Sequence, residues 1–403
     1  MIAGAGPAGT SAAIHLALRG ARVLLVEQKK FPREKLCGEF ISPECLKHFE
    51  RLGVADRMMA AGGECLAQTV FYSRAGRSVQ VPSKWFDNEN SALGLSRSEM
   101  DHKLLERARA VGVEVLEETQ ASAVMGEGHR VRGVRLKAED AISEATAPVI
   151  IDATGRTRAL TRRLVGLKDG GPNGSGKVIK THKRRRSGAP LVAFKAHFEG
   201  ARLAPGTCEI YFYPGGYGGL SSIENGLSNL CFIASAKDVR ACNADPDKVV
   251  MKVVAKNSRA AYSLATARIR SPWLAVSLES FGCQRPVPAD GLLVIGDAAA
   301  FIDPFTGSGM LMALEGGELA AEVIMRHLSR LRTGAQFGAL ASDYHTLYRA
   351  RFRSRLRICA MIRQAAFVPH LAEMAIRLFG MSEQLRRALS QATRKGTRMK
   401  AEG

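Results

Sequence analysis

Apolar residues follow two rhythms along this chain. Short, nearly continuous aliphatic runs at Arg22–Val26, Val113–Leu116, Pro148–Ala153 and Leu292–Ile295 read as strands buried on both faces of a parallel sheet, with another strand near Val131–Leu136. Between them lie stretches with helical spacing. Residues 10–19 place Ala12, Ala13, Leu16 and Ala17 on one face with Gly20 as a stop, and further helices are expected at Met100–Ala110 and Gly309–Leu328. The alternation of strand and helix predicts a Rossmann-like α/β domain.

The rhythm changes after residue 190. Residues 192–198, 208–213 and 227–234 alternate apolar and polar positions between glycine turns, the pattern of an antiparallel sheet with one buried face. The chain is helical from there to about Ala392 once the strand at Leu292–Ile295 has returned it to the first domain. Residues 1–65, 94–167 and 282–330 therefore form a discontinuous nucleotide-type domain, and 66–93 with 190–281 a substrate lobe. Residues 168–189, glycine-rich and then basic, are a surface loop, and 331–403 a basic helical segment. Only Met1, Ile2 and Ala3 precede the first glycine loop, so the first strand is expected to be a stub that holds the loop weakly, or to begin upstream.

Composition adds a sign to this outline. Lys and Arg outnumber Asp and Glu by 58 to 38, a formal charge of +20, which favours anionic partners. Roughly +12 of it falls after Met325, where Arg349, Arg351, Arg353, Arg355 and Arg357 alternate with other residues. Arg349–Arg357 read as spread around a helix, and Leu371, Ile376, Leu378 and Phe379 as its apolar side. Peripheral contact with an anionic membrane is one expectation, a solvated helix packed on the core the other. Cysteines 37, 45, 65, 208, 231, 242, 283 and 359 show no CxxC spacing, so neither a metal site nor a disulfide framework is expected. No leader and no spanning run of roughly eighteen apolar residues is apparent, which points to a cytoplasmic protein.

The chemistry begins at Gly4-x-Gly6-x-x-Gly9. Glycines at this spacing let the backbone turn, approach a pyrophosphate and pack helix on strand, and Pro7 and Ala8 open the helix whose amino terminus faces the anion. Glu27 closes the next strand, where a carboxylate can hold ribose hydroxyls. Gly171 to Lys177 imitates a phosphate loop, but Val178 stands where a magnesium-binding hydroxyl is needed.

The remaining motifs are Phe31-Pro32-Arg33-Glu34-Lys35-Leu36-Cys37-Gly38-Glu39, Arg97 with Asp101, Asp152-Ala153-Thr154-Gly155, and Gly296-Asp297-Ala298-Ala299 running to Pro304-Phe305-Thr306-Gly307-Ser308-Gly309. With the first loop, they make residues 1–330 resemble the geranylgeranyl reductase-like FAD-dependent oxidoreductases, kin of aromatic hydroxylases and flavin halogenases. The resemblance implies an FAD-binding domain of the glutathione-reductase/aromatic-hydroxylase type. It implies FAD contacts from Gly4, Gly6, Pro7, Ala8, Gly9, Glu27, Lys35, Cys37, Gly38, Arg97, Ala121, Gly155, Gly296, Asp297, Pro304, Gly307, Ser308 and Gly309. Asp101 is expected to be structural.

It also brings the 35–39 loop beside the flavin ring. There Cys37 is either a tuning thiol or a small buried group, and Glu39 a proton donor. Tyr217, after Pro214-Gly215-Gly216, lines a substrate wall or fills a core; Gly218-Gly219-Leu220-Ser221 departs from the isoprenoid-channel motif that this start resembles. Trp85 and Trp273 are isolated, which disfavours halide chemistry, and Ala300 stands where aromatic hydroxylases carry a histidine. No second GxGxxG follows, so electrons come from transient NAD(P)H or a reduced protein donor.

Three functions remain open from the sequence. The first is reduction of a C=C bond in a hydrophobic small-molecule substrate, isoprenoid- or polyketide-like. The second is monooxygenation by reduced FAD and oxygen, and the third electron carriage at a membrane surface. No specific nucleic-acid contact is expected.

Overall fold

A computed structural model describes the chain except residues 88–89, 129, 140, 167–189, 279–280, 333–336, 367–373, 375, 378, 381 and 393–403. The expected basic loop and the imitation phosphate loop lie outside the described residues. At the centre is a five-stranded parallel sheet in the order Leu292–Val294, Ile150–Asp152, Ile2–Ala3, Leu24–Val26, Glu114–Leu116. Ile2 pairs with Ile151 and Leu25, and Ala3 with Asp152 and Val26, so the two-residue strand is bonded on both sides and fully buried. The glycine loop thus leaves from the middle of the sheet.

The helix that follows spans Pro7–Leu18, starting three residues before the apolar spacing suggests. Pro7 explains the early start, since a first-turn residue needs no intrahelical N–H and proline already has the helical φ. Its single apolar face is also corrected: every residue from Pro7 to Leu16 is buried, Thr10, Ser11 and His15 included. The helix is wedged between the sheet and the helices Gly309–Arg332 and Arg97–Ala110. Its polar groups are absorbed locally, Thr10 Oγ1 donating to the Gly6 carbonyl at 2.9 Å and Ser11 Oγ to the Leu314 carbonyl at 2.9 Å. A Cβ on Gly317 would lie 2.5 Å from the Ala8 carbonyl oxygen and 2.8 Å from the Ala12 nitrogen, so only glycine permits this approach.

Ser96 caps the helix Arg97–Ala110 by accepting from the Glu99 N–H at 3.1 Å. Beyond it, a meander of Thr119–Glu127, Arg130–Ala138 and Ala141–Thr146 surrounds the single strand expected at Val131–Leu136. The outer strand Ala141–Thr146 is almost wholly exposed and has no apolar face to betray it.

The second lobe is an eight-stranded sheet. Leu191–Glu199, Ser228–Ser235, Gly216–Ser222 and Thr207–Tyr213 run antiparallel in that spatial order. Thr207–Tyr213 then pairs in parallel with Gln68–Tyr72, which is antiparallel to Ser78–Pro82. The C-terminal segment is helical at Gly338–Ala366 and Glu383–Ala392. A large cavity lies where the two sheets and this segment meet.

Candidate functional site

The cavity has a volume of about 690 Å³, within the range of small-molecule sites. Its wall includes Gly4, Gly6, Pro7, Ala8, Glu27, Lys35, Cys37, Gly38, Glu39, Arg97, Ala121, Gly155, Tyr217, Gly296, Asp297, Pro304, Gly307 and Gly309, all singled out from the sequence. Gly9 and Ser308 stand behind the wall. A Cβ on Gly9 would lie 1.9 Å from the Gly4 carbonyl oxygen, and Ser308 is fully buried.

One end of the cavity is made of backbone and charge. Gly4 has φ +102° and a Cβ there would sit 2.4 Å from the Ala153 carbonyl oxygen, so the loop requires glycine. Gly6 differs: a Cβ would make only ordinary contacts, with the guanidinium nitrogens of Arg97 and Arg33 at 3.9 and 4.0 Å. Glu27 braces the loop, accepting from the Ala5 N–H at 2.9 Å and the Lys29 N–H at 3.1 Å. Buried Asp101 has the structural role expected of it, holding Arg97 at 2.9 and 2.7 Å and Arg33 at 3.1 Å.

Burial disfavours a charged Arg97, but the Asp101 charge and hydrogen bonds outweigh it and raise the guanidinium above its ordinary range. Lys35 is lowered, by burial first and by Arg33 next. Burial raises the Asp297 carboxyl, against the pull of Arg156, Arg97, Arg158 and Lys35. Asp152 is spent on scaffold, accepting from Thr154 and Thr161 through backbone and hydroxyl groups at 2.6–3.0 Å.

The second loop closes against the first. Gly296 has φ +58°, and its Cβ would lie 2.8 Å from the Ala8 Cβ. After the turn Pro304–Thr306, Gly307 (φ +59°) leads into the helix Gly309–Arg332, so two helix amino termini open on the cavity. Free N–H groups, two guanidiniums and a glycine surface form an anion cradle, with the Glu27 and Asp297 carboxylates beside it. These residues fit the diphosphate and hydroxyl-bearing chain of FAD.

The middle of the wall is the 35–39 loop, and here Glu39 departs from expectation. It is fully buried with φ +54°. Its Oε1 accepts from the Arg97 N–H at 2.8 Å and Lys195 Nζ at 2.5 Å, and its Oε2 pairs with His197 Nε2 at 2.7 Å. Lys195 also reaches Glu34 at 2.6 Å. Burial lowers the lysine, but Glu39 and Glu34 more than compensate and its ammonium is held above the ordinary range. An acid so engaged is an anchor between the lobes and not a free proton donor. Asn229 adds a second tie, donating to the Cys37 carbonyl at 3.1 Å. Cys37 itself is half-buried, its Sγ 3.4 Å from the Glu39 N–H.

The far end is apolar. Phe71, Val79, Val81, Phe86, Ile210, Phe212, Ile233, Leu278, Phe301 and Phe305 line it. Tyr217 belongs to this wall, but its hydroxyl is engaged: it donates to Asp303 and accepts from the Phe305 N–H at 2.9 Å. Burial, followed by the Asp303 charge, pushes its phenol well above the usual value. The tyrosine therefore ties the lobe sheet to the second loop.

The tail is also rearranged relative to expectation. Ile376 is buried and lines the cavity with Phe379, so neither forms an outer apolar side; Leu371 and Leu378 lie outside the described residues. Arg355 is buried against Glu315 at 2.6 Å, Arg351 is exposed beside the same glutamate, and Arg349, Arg353 and Arg357 form an exposed stripe on another side, so the five are spread around the helix as expected. Periodicity explains this stripe, because every fourth residue returns to the same helix face. Among the described residues no helix is long and apolar enough to cross a membrane.

Sequence reasoning missed Lys195 and His197. Their signal was present: two basic residues two apart in an otherwise apolar strand share a face and need a buried acid. Arg33 stood within a quoted motif without a role, and Arg156 gave no local sign.

Residues 1–329 match the protein family described as FAD binding domain. The chain is 25% identical over 338 residues to conditioned medium factor receptor 1 of Dictyostelium discoideum, covering 80% of this chain and 62% of that one. It is 27% identical over 336 residues to the digeranylgeranylglycerophospholipid reductase of Methanosarcina mazei, covering 82% and 75%. The solved structure of the flavin-dependent brominase Bmp2 superposes with a TM-score of 0.76 at 21% identity, over 97% of this chain and 92% of that one, which shows a shared fold.

Proposed function

We propose that this chain, which belongs to the FAD binding domain family of FAD-dependent oxidoreductases, reduces a carbon–carbon double bond in a hydrophobic, isoprenoid- or polyketide-like substrate. One observation carries the reading: a single cavity joins the charged, glycine-walled end to the apolar end. The Gly4–Gly9 loop, Glu27, Arg33, Arg97 and Asp297 would hold FAD, whose dinucleotide matches the first end. When bound, FAD supplies the hydride. Electrons reach it from transiently docked NAD(P)H or a reduced protein.

The chain's own residues orient, shield and protonate. Phe71, Ile210, Phe212 and Leu278 bind the apolar body of the substrate and exclude water from it. Glu39, Lys195, His197 and Asn229 fix the loop carrying Cys37 at the junction of the two ends. Its S–H places a proton there for the second carbon. Tyr217 and Asp303 hold the opposite wall in register through their shared hydrogen bond.

The test is anaerobic reduction of the bound flavin followed by mixing, separately, with oxygen and with unsaturated isoprenoid compounds. The reductase reading expects flavin reoxidation without oxygen and a product that has gained a pair of hydrogens by mass spectrometry. Reoxidation by oxygen alone, with an oxygen atom entering the substrate, would establish monooxygenation instead.

A further inference from the structure

The apolar end of the cavity is roofed by a part of the chain that lies beyond the residues matching the FAD binding domain family. Ile376, Phe379 and Arg386 line it. The helix Glu383–Ala392 packs on the strand Ser78–Pro82 and the turn Ser83–Trp85, and Gln391 Nε2 donates to the Trp85 carbonyl at 3.2 Å. The roof is thus anchored to the same strand that supplies Val79 and Val81 to the wall.

Arg386 is out of place among these neighbours. Its guanidinium carbon is 5.9 Å from the centre of the Trp85 ring, at the outer reach of a cation–π contact. Its Nε is buried without a hydrogen-bond partner among the described residues. Phe71, Val79, Val81, Phe86 and Phe379 on this part of the wall are apolar, and Ser390, one turn further along the same helix, brings a hydroxyl but no counter-charge. A guanidinium donor shielded from water and left unmatched is costly, and an anion in the cavity removes that cost. The arginines at the other end each face a carboxylate: Arg33 faces Glu27 and Asp101, Arg97 faces Asp101, and Arg156 feels the Asp297 charge.

We infer that Arg386 binds the anionic head group, carboxylate or phosphate, of an amphiphilic substrate whose hydrocarbon body lies along the apolar wall. The C-terminal segment then selects the substrate while the matched domain serves the cofactor. This inference rests on reading the apolar end as the substrate site, and is independent of whether the substrate is reduced or oxygenated.

The experiment titrates the FAD-loaded full chain with a fluorescent long-chain fatty acid, its methyl ester and the alkyl phosphate of the same chain. Binding of both anions should exceed that of the ester, and the tighter of the two identifies the head group. In Arg386→Gln, affinity for the anions should fall about 10- to 100-fold while that for the ester stays unchanged. Arg386→Lys should retain part of the preference. Flavin content and thermal midpoint, measured on each variant, keep misfolding separate from lost recognition. Equal weakening of all three probes, or no weakening, would overturn the role of Arg386. If the ester fails to bind the unaltered protein as well, the apolar substrate site itself is refuted.

Discussion

The two ends of the cavity are built by different means. The charged end is backbone held at close quarters: Gly4, Gly9 and Gly296 leave no room for a methyl group, and its charges sit in pairs braced by Asp101 and Glu27. The apolar end is side chains drawn from residues 71–86, 208–233, 276–305 and 376–386, with one glycine, Gly219, facing the movable tip of Ile210. One end should therefore tolerate almost no change, and the other should change specificity before it loses the fold.

The sharpest test of that contrast is Gly9→Val. A side chain colliding with the Gly4 carbonyl oxygen at 1.9 Å must displace backbone, so a loss of at least ~3 kcal/mol in urea unfolding is expected, together with purified protein lacking flavin absorbance. A variant that keeps both its flavin and its midpoint would break the comparison at its stiff end.

Glu39→Gln comes next in size. It leaves the Lys195 ammonium, 2% exposed, without its buried counter-charge, for a destabilisation of about 3 kcal/mol by the same measurement. Adding Lys195→Met should recover part of that loss, since it removes the buried ammonium that Glu39→Gln leaves with only the partly exposed Glu34. Additive losses would instead mean that the cluster is not a coupled anchor.

Gly219→Val should matter least to the fold. Its first carbon would meet Ile210 Cδ1 at 3.0 Å, so the side chain must give slightly, at a cost of ~1 kcal/mol. Flavin content should hold while KM for a long substrate rises. Loss of flavin in this variant would show that the two ends are not separable.

The same contrast governs what could be read in advance. Gly4-x-Gly6-x-x-Gly9, Glu27 and Gly296-Asp297 were legible because backbone geometry imposes fixed local spacing, and all but Gly9 reach the cavity wall. The parallel strands were legible as continuous apolar runs. The Glu39 anchor was not, because its partners lie 156 and 158 residues away: Lys195 and His197 signal that they need an acid, but nothing local says which one. Nor was the roof, since Ile376 and Phe379 read as the outer face of a helix until their burial is known. The spread of the arginines was legible, since helix residues two apart point about 200° apart and an alternating run does not form one stripe; only the burial of Arg355 was not.

Gly317 gives the charged end one more property. The helix Gly309–Arg332 and the helix Pro7–Leu18 approach there almost backbone to backbone, so their separation is set by van der Waals contact of main-chain atoms more than by the fit of long side chains. Such a caliper depends little on which side chains surround it. It allows the rest of the molecule to be rebuilt around a fixed span.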